Sequence, residues 1–385
     1  MLNMKKGDSG LREVSLLGTS SFFNDIGSEL ITPILPFYIT ALGGGGIAIG
    51  LISGLREGLA SFFKFFGGWL SDRVGKRKIF VFFGYLMSVI FRFMISLANS
   101  WYSIVTFVSF ERFGKLRDAP RDAIISEVVV KKNQGAAFGF HQAMDTLGGV
   151  VGTILAIFLF WKLNLEIKTI IIVAAGISLL SLIPLAFVKE PKTRPKNIGF
   201  LTSVHKISKK LKYFTFVSSI FTLANFGLYA FLLLRGQELS GNILFPLVLF
   251  AIFNFVYAGF SEPFGRLSDK IGRKKVLFLG YVLFFVLMLG FIYLQNLFYF
   301  SIMFILYGLV YALTQPNQRA LVSDLSDDMK ATAFGFFSSV IGIVNIFGGL
   351  IAGIMWDVSY TTMFTYLAVV SFISIISLVF VKEKN

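Results

Sequence analysis

The chain has no cysteine, only two histidines and, for 385 residues, little charge. Without cysteine there is no disulfide, no thiolate metal site and no thiol nucleophile. Charged residues make up 15% of the chain, against ~25% in an ordinary soluble domain. The charge is also lopsided: 36 Lys and Arg stand against 21 Asp and Glu, a formal net charge of +15. Such a balance suits a nucleic-acid partner only if the basic residues share a face. Here they cluster in short segments between apolar runs, which is the pattern of a membrane protein, so nucleic acid is not expected. No nucleotide-binding loop, metal-ligand spacing or nucleophile–base pair is present. An enzyme is not expected, and neither a metal nor a cofactor is called for.

What the chain has in abundance is hydrocarbon. Hydrophobic residues make up 55%, phenylalanine alone 46 residues, and the mean hydropathy is +0.76. A spanning helix needs ~20 apolar residues to cross ~30 Å of lipid. Twelve runs meet that need, at about 14–41, 47–70, 79–98, 101–123, 134–161 and 168–188, then 213–234, 243–267, 276–295, 298–322, 331–356 and 360–381. The fold class is therefore an all-α integral membrane protein with twelve transmembrane helices. A polar stretch, 189–212, carries Pro191, Pro195, His205 and eight Lys or Arg, and it separates an N-terminal half, 1–188, from a C-terminal half, 213–385. Alternate loops hold Lys5, Lys6 and Arg12, then Arg73 to Lys78, Lys131 and Lys132, later Lys270 to Lys275, Lys330, Lys382 and Lys384. The intervening loops hold only Lys162, Lys168 and Arg235. Basic loops stay inside, so both termini and the linker are expected in the cytoplasm of a cell-membrane protein.

One loop is written twice. Gly68-Trp69-Leu70-Ser71-Asp72-Arg73-Val74-Gly75-Lys76-Arg77-Lys78 returns as Gly265-Arg266-Leu267-Ser268-Asp269-Lys270-Ile271-Gly272-Arg273-Lys274-Lys275, and 269 − 72 = 197. Each copy ends a helix, turns on a glycine and holds the turn inside with a basic cluster. Further echoes keep or come near the interval. Ala137-Phe138-Gly139-Phe140 returns at Ala333 (333 − 137 = 196), Ser126-Glu127 as Ser323-Asp324 (323 − 126 = 197), and Asn24 has a counterpart in Asn225 (225 − 24 = 201).

The paired loop resembles the signature loop of the major facilitator superfamily of secondary transporters, found there between helices 2–3 and 8–9. The Asn24-Asp25 opening and the Glu111-Arg112…Ala119-Pro120-Arg121-Asp122 segment look like a prokaryotic branch of it. The resemblance implies two six-helix repeats around a central substrate site, alternating access, a small-molecule cargo and a functional monomer. It implies a conformational switch at Gly68, Asp72, Arg73, Gly75, Arg121 and Asp122, repeated at Gly265, Asp269, Gly272 and Arg273. Asp72 is expected within reach of the Arg117, Arg121 and Asp122 cluster. Gly148, Gly152 and Ala156 permit close helix contact. They are similar to the span-five motif of proton-driven drug exporters, without its Gly-Pro step.

Ionisable residues in a span are costly and so mark function. The candidates for substrate contact or proton coupling are Asp25, Glu29, Arg56, Glu57, Glu111, Arg112, His141 and Asp145, with the neutral Asn225, Gln315 and Asn317 in the second half. Asp25 and Glu29 lie one turn apart on a helix, as do His141 and Asp145. At the repeat interval His141 and Asp145 give way to Phe337 and Ile341, so the fold itself does not demand polarity there. Lys64 is expected to snorkel, and Arg92 to pair with a carboxylate. A proton gradient is the expected driving force, since buried carboxylates are natural proton carriers. The reading is proton-coupled export of small amphipathic compounds. The alternatives are proton-coupled uptake of a small anion gripped by Arg56 or Arg112, a lipid flippase, or a non-transporting sensor.

The cysteine-free chain allows a direct topology test. Single cysteines placed within 189–212 should react with an impermeant maleimide only after the cells are opened. Labelling of intact cells would reverse the orientation.

Overall fold

The computed structural model describes residues 8–130, 134–190, 207–294, 296–326 and 330–381. The centre of the linker with His205, and Lys5, Lys6, Lys131, Lys132, Lys382 and Lys384, lie outside the described residues. All regular structure among the described residues is helical, and ten helices are long and apolar enough to cross a membrane. The two expected spans outside that set are the first and the fourth. Both fall short for one reason: they carry charge and are broken. The first is α1 (Asp8–Ile31) followed by α2 (Leu35–Ala41), interrupted at Pro33, which has no N–H to donate. The fourth is α5 (Trp101–Glu111), a 3-10 turn (Arg112–Arg117) and α6 (Asp118–Val128). The other first-half spans are α3 (Gly46–Val74), α4 (Arg77–Ser96), α7 (Gln134–Trp161) and α8 (Ile167–Leu179) with α9 (Leu182–Phe187).

In the second half α10 (Lys209–Ala224) and α11 (Tyr229–Ser240) form the seventh span. After them come α12 (Leu244–Ile271), α13 (Arg273–Tyr293), α14 (Leu297–Asp324), α15 (Lys330–Val358) and α16 (Tyr360–Val379). By contact the chain divides into two compact units, Met1–Tyr38 with Leu59–Ile198, and Ile39–Gly58 with Gly199–Asn385. In the first unit α1 packs on α7 and α8, and α4 packs on α5, α8 and the 3-10 turn. In the second, α14 packs on α12 and α13, while α16 packs on α10 and α13.

The glycines of α7 do what their spacing predicts. A Cβ on Gly148 would stand 2.6 Å from the Phe22 carbonyl oxygen, and one on Gly152 2.4 Å from that of Ile26. So α1 and α7 meet backbone to backbone. The second unit contains a longer seam. The first turns of α3 carry Gly46, Gly50, Gly54 and Gly58, each four residues from the next, and all four lie against α15. A Cβ on Gly50 would fall 1.9 Å from the Gly349 oxygen, and one on Gly58 2.5 Å from that of Gly342. The seam is closed at one end by Asp357. Its carboxylate accepts from the Gly46 N–H at 2.6 Å and the Ile47 N–H at 3.0 Å. A carboxylate on unpaired N–H groups at a helix start is a stabilising cap.

Gly50→Ala should lower the detergent melting temperature of the purified protein, because overpacking a tight contact costs about 1–3 kcal/mol. Gly176→Ala on α8, where a Cβ meets nothing within 4 Å, is the matched control and should hold or raise it.

Candidate functional site

Each signature loop is built around one arginine. In the first unit Arg77, at the start of α4, binds Asp72 at 2.9 Å and Glu127 at 2.5 Å. Gly75 turns the chain between them at φ 73°, a conformation only glycine takes without strain. In the second unit Arg273 binds Asp269, and Asp324 at 3.5 Å, with Gly272 at φ 101°. The intervals are 273 − 77 = 196 and 324 − 127 = 197, so the ion-pair geometry repeats with the sequence. The neighbouring lysines repeat too: Lys78 Nζ donates to the Ala186 carbonyl at 3.0 Å and Lys274 Nζ to that of Val379 at 2.6 Å. Each binds the C-terminal end of its unit's last helix, where a cation is favoured. Asp72, expected within reach of the Arg117, Arg121 and Asp122 cluster, pairs in this structure with Arg77. Arg73 is exposed, and lies over the Trp69 ring at 5.5 Å. Gly68 and Gly265 lie within α3 and α12 one turn before Asp72 and Asp269, and a Cβ on Gly265 would meet nothing within 4 Å.

Above this loop the first unit holds two sets of charges. One is sealed. Arg92 Nη1 donates to the Asn24 carbonyl at 2.8 Å and to Ser178 Oγ at 2.7 Å, while Nη2 binds Glu111 at 3.0 Å. The other Glu111 oxygen takes Arg112 Nε at 2.9 Å. All three side chains are buried, and none is among the residues that line the cavity described next. Glu111 and Arg112, expected to meet substrate, are held here in an internal ion triad with Arg92.

The other set is open. A cavity of about 460 Å³ is lined by Asp25, Lys64, Lys115, Arg117, Asp118, Arg121, Asp122, Phe138, Gly139, His141, Gln142 and Asp145. Buried Asp118 lies among Lys115 at 3.7 Å, Arg117 at 3.7 Å and Arg121 at 3.8 Å, with Lys64 also near enough to act on it. Arg121 reaches Asp122 at 3.2 Å, and Asn24 donates to Asp25 at 3.0 Å. His141 Nδ1 stands 3.5 Å from Asp145 Oδ2, whereas Asp145 Oδ1 is buried with no hydrogen-bond partner among the described residues.

A hub that the sequence did not announce ties these groups together. Ser21 Oγ lies 2.8 Å from Tyr85 Oη and 3.1 Å from His141 Nε2, and accepts from Arg121 Nη1 at 2.9 Å. A hydroxyl both donates and accepts. Ser21 can therefore give a proton to Nε2, which leaves Nδ1–H facing an ionised Asp145. It can also accept from Nε2–H, which leaves Nδ1 free to receive a proton held by Asp145. The geometry thus permits either imidazole tautomer, one for each charge state of Asp145.

The remaining candidates lie elsewhere. Glu29 is half-buried on α1 and outside the cavity lining, with its Cγ 3.5 Å from where a Gly149 Cβ would be. Arg56, buried, and Glu57, exposed, belong to the second unit. There Asn225 accepts from Tyr307 Oη, inside an aromatic cluster in which Phe253 stacks on Tyr307 with centroids 5.4 Å apart. Asn317 Nδ2 bonds its own helix at the Leu313 carbonyl, 2.8 Å away, and Gln315 is half-buried. Lys64 sits about 15 Å along α3 from its C-terminal end, taking ~1.5 Å per residue, and lines the cavity.

Helices of spanning length, a duplicated basic loop and an intramembrane charged cavity define a multi-pass membrane transporter of small molecules, not an enzyme. The sequence matches the Major Facilitator Superfamily over residues 17–246 and 214–385. It is 45% identical to an uncharacterized MFS-type transporter of Methanocaldococcus jannaschii, across 98% of each chain. It is 26% identical to the multidrug resistance protein MdtG of Escherichia fergusonii, across 92% of this chain and 90% of that one. Among solved structures, a mutant of the nucleoside transporter NupG superposes with a TM-score of 0.81 at 15% identity, covering 95% and 99% of the two chains. The POT family transporter PepTSo gives 0.79 at 12% identity, over 96% of each. The chain belongs to the Major Facilitator Superfamily.

The loop arginines are unequally enclosed, with side-chain exposure of 5% for Arg77 and 23% for Arg273. Removing one partner of an enclosed pair costs about 3 kcal/mol, and of an exposed pair about 1 kcal/mol or less. Arg77→Gln should therefore lower the detergent melting temperature clearly more than Arg273→Gln does. Equal losses would show that the two loops carry equal load.

Proposed function

We propose that this transporter exchanges protons for small organic compounds and exports the latter, with Asp145 as the proton carrier and His141 as its partner. The observation that carries this is the Asp145 carboxylate. One of its oxygens is buried without a hydrogen-bond partner among the described residues, at the edge of a cavity, 3.5 Å from an imidazole by the other. An ionised carboxylate with an unsatisfied buried oxygen is costly, and a proton relieves that cost. The cavity gives the proton a way in, and the Ser21 hub gives the imidazole freedom to follow it. Asp25, within electrostatic reach of Asp145, is the second carboxylate of the site. Export is supported by the names of relatives at 24–26% identity, multidrug resistance proteins in enterobacteria.

The transporter works by alternating access as a monomer in the cell membrane. Its halves are 1–188 and 213–385, the linker is 189–212, and both termini lie in the cytoplasm. The switch is carried by the two loop triads, Asp72–Arg77–Glu127 and Asp269–Arg273–Asp324. Substrate-dependent flux in liposomes separates this reading from a sensor, which binds without flux, and from a flippase, which moves labelled lipid.

Asp145→Asn should preserve folding and exchange down a substrate gradient while abolishing acceleration by an imposed pH gradient. Both are measured in proteoliposomes, with Asp25→Asn and Glu29→Gln run alongside. If pH-driven transport survives neutralisation of Asp25, Glu29, Glu111 and Asp145 in turn, proton coupling through this site is wrong.

A further inference from the structure

The cavity of the first unit has an excess of base around Asp118. Asp118 is the focus of four cations, Lys64, Lys115, Arg117 and Arg121. Two of these are committed. Arg117 donates to Ser88 Oγ at 3.0 Å and the Gly114 carbonyl at 2.8 Å, and Arg121 to Ser21 and Asp122. Lys115 reaches Asp118 only at 3.7 Å. Lys64 makes no hydrogen bond or ion pair with any described residue, yet it projects from the middle of a spanning helix. An ammonium at that depth needs either water or a counter-ion. The same cavity is lined by Asp25, Asp145 and His141. Arg121 and Lys115 act on both Asp118 and Asp145.

The lining as a whole carries four carboxylates, Asp25, Asp118, Asp122 and Asp145, and four cations. A cavity that is neutral in sum, but in which neither Lys64 nor one Asp145 oxygen has a hydrogen-bond partner among the described residues, favours a cargo that carries both charges. A cargo of net charge would leave that charge uncompensated in a low-dielectric site, whereas a dipolar one satisfies Lys64 and the acid pair together.

We infer that the cargo is dipolar, with an anionic group that pairs with Lys64 and a cationic or donor group that takes the proton's place at Asp25 and Asp145. This rests on the proton site proposed above and adds the chemistry of what is exchanged for the proton. Competition at Asp145 between the cargo's donor and the proton is what makes the two exchange instead of travelling together.

Four probes of one shape test it on the purified full-length transporter by calorimetry at fixed pH: p-(aminomethyl)benzoate, benzoate, benzylamine and benzyl alcohol. The cavity is large enough for each. The zwitterion should bind most tightly. Lys64→Gln should weaken the zwitterion and benzoate at least about tenfold, a loss of about 1.4 kcal/mol, and leave benzylamine within about twofold; Lys64→Arg should restore most of the loss. Asp145→Asn should weaken the zwitterion and benzylamine and spare benzoate. Binding that ignores charge overturns the inference, as does benzylamine as the tightest ligand, indifference to Lys64→Gln, or no saturable binding by any probe. The proton reading is scored separately by pH-driven flux in Asp145→Asn, so a charge-blind cavity in a coupled transporter sinks only the cargo assignment.

Discussion

No charge can remain below the headgroups of a bilayer without a partner or water, and the first unit answers that constraint in two ways. Arg92 and Arg112 flank Glu111, and Arg92 also holds the Asn24 carbonyl, in a buried interior. Arg117, Asp118, Arg121, His141 and Asp145 instead surround a cavity. The 3-10 turn of Arg112–Arg117 separates the two sets. With three residues per turn in place of 3.6, it shifts the register between α5 and α6. Arg112 is thereby directed to Glu111 at one end of the turn, and Arg117 to Ser88 and the Tyr85 ring, 4.4 Å away, at the other. A continuous α-helix over 101–128 would place these side chains on a different set of faces.

The repeat shows which features the fold requires and which are specific to this site. Both units need their loops closed, and both use an arginine between two carboxylates, with a lysine on the end of the last helix. The His141–Asp145 pair has no such echo. Where the first unit has His141, the second has Phe337, buried and stacked on Phe214 with ring centroids 6.1 Å apart and planes 7° from parallel. An aromatic pair fills that place at no electrostatic cost. The polar version in the first unit is therefore not a packing necessity.

Much of this was legible in the sequence. Span length and loop charge gave the helical membrane fold, and the interval of 196 to 197 residues gave the repeat. The first and fourth spans could be seen to be the charged ones. The hub could not be read. Ser21 and Tyr85 are ordinary residues in apolar runs, and they meet Arg121 and His141 only because α1, α4, α6 and α7 converge. That Lys64 lines the cavity could not be read either, because the facing of a long side chain depends on packing that sequence does not give. Arg77 was overlooked although its signal was present: it stands 196 residues before Arg273, in the same loop. The four glycines from Gly46 to Gly58 were visible as well, but the backbone of α15 that they receive was not.

The exchange proposed above has an energetic consequence for transport. In it, proton and cargo donor would compete for Asp145, and each would lower the other's affinity by the same factor, as linkage requires. That reciprocity is the whole of the coupling, and it needs no long-range signal. Because a dipolar cargo has no net charge, one exchange moves one positive charge inward. A membrane potential contributes about 2.3 kcal/mol per charge for each 100 mV, and the pH gradient adds its own share. A cationic cargo exchanged one for one would cancel the electrical part and leave only the pH gradient. On the proposed exchange, the neutrality of a dipolar cargo would therefore let both components of the proton gradient act. Lys64 and Asp145 line the same cavity, so the two ends of such a cargo would each meet a group of opposite charge.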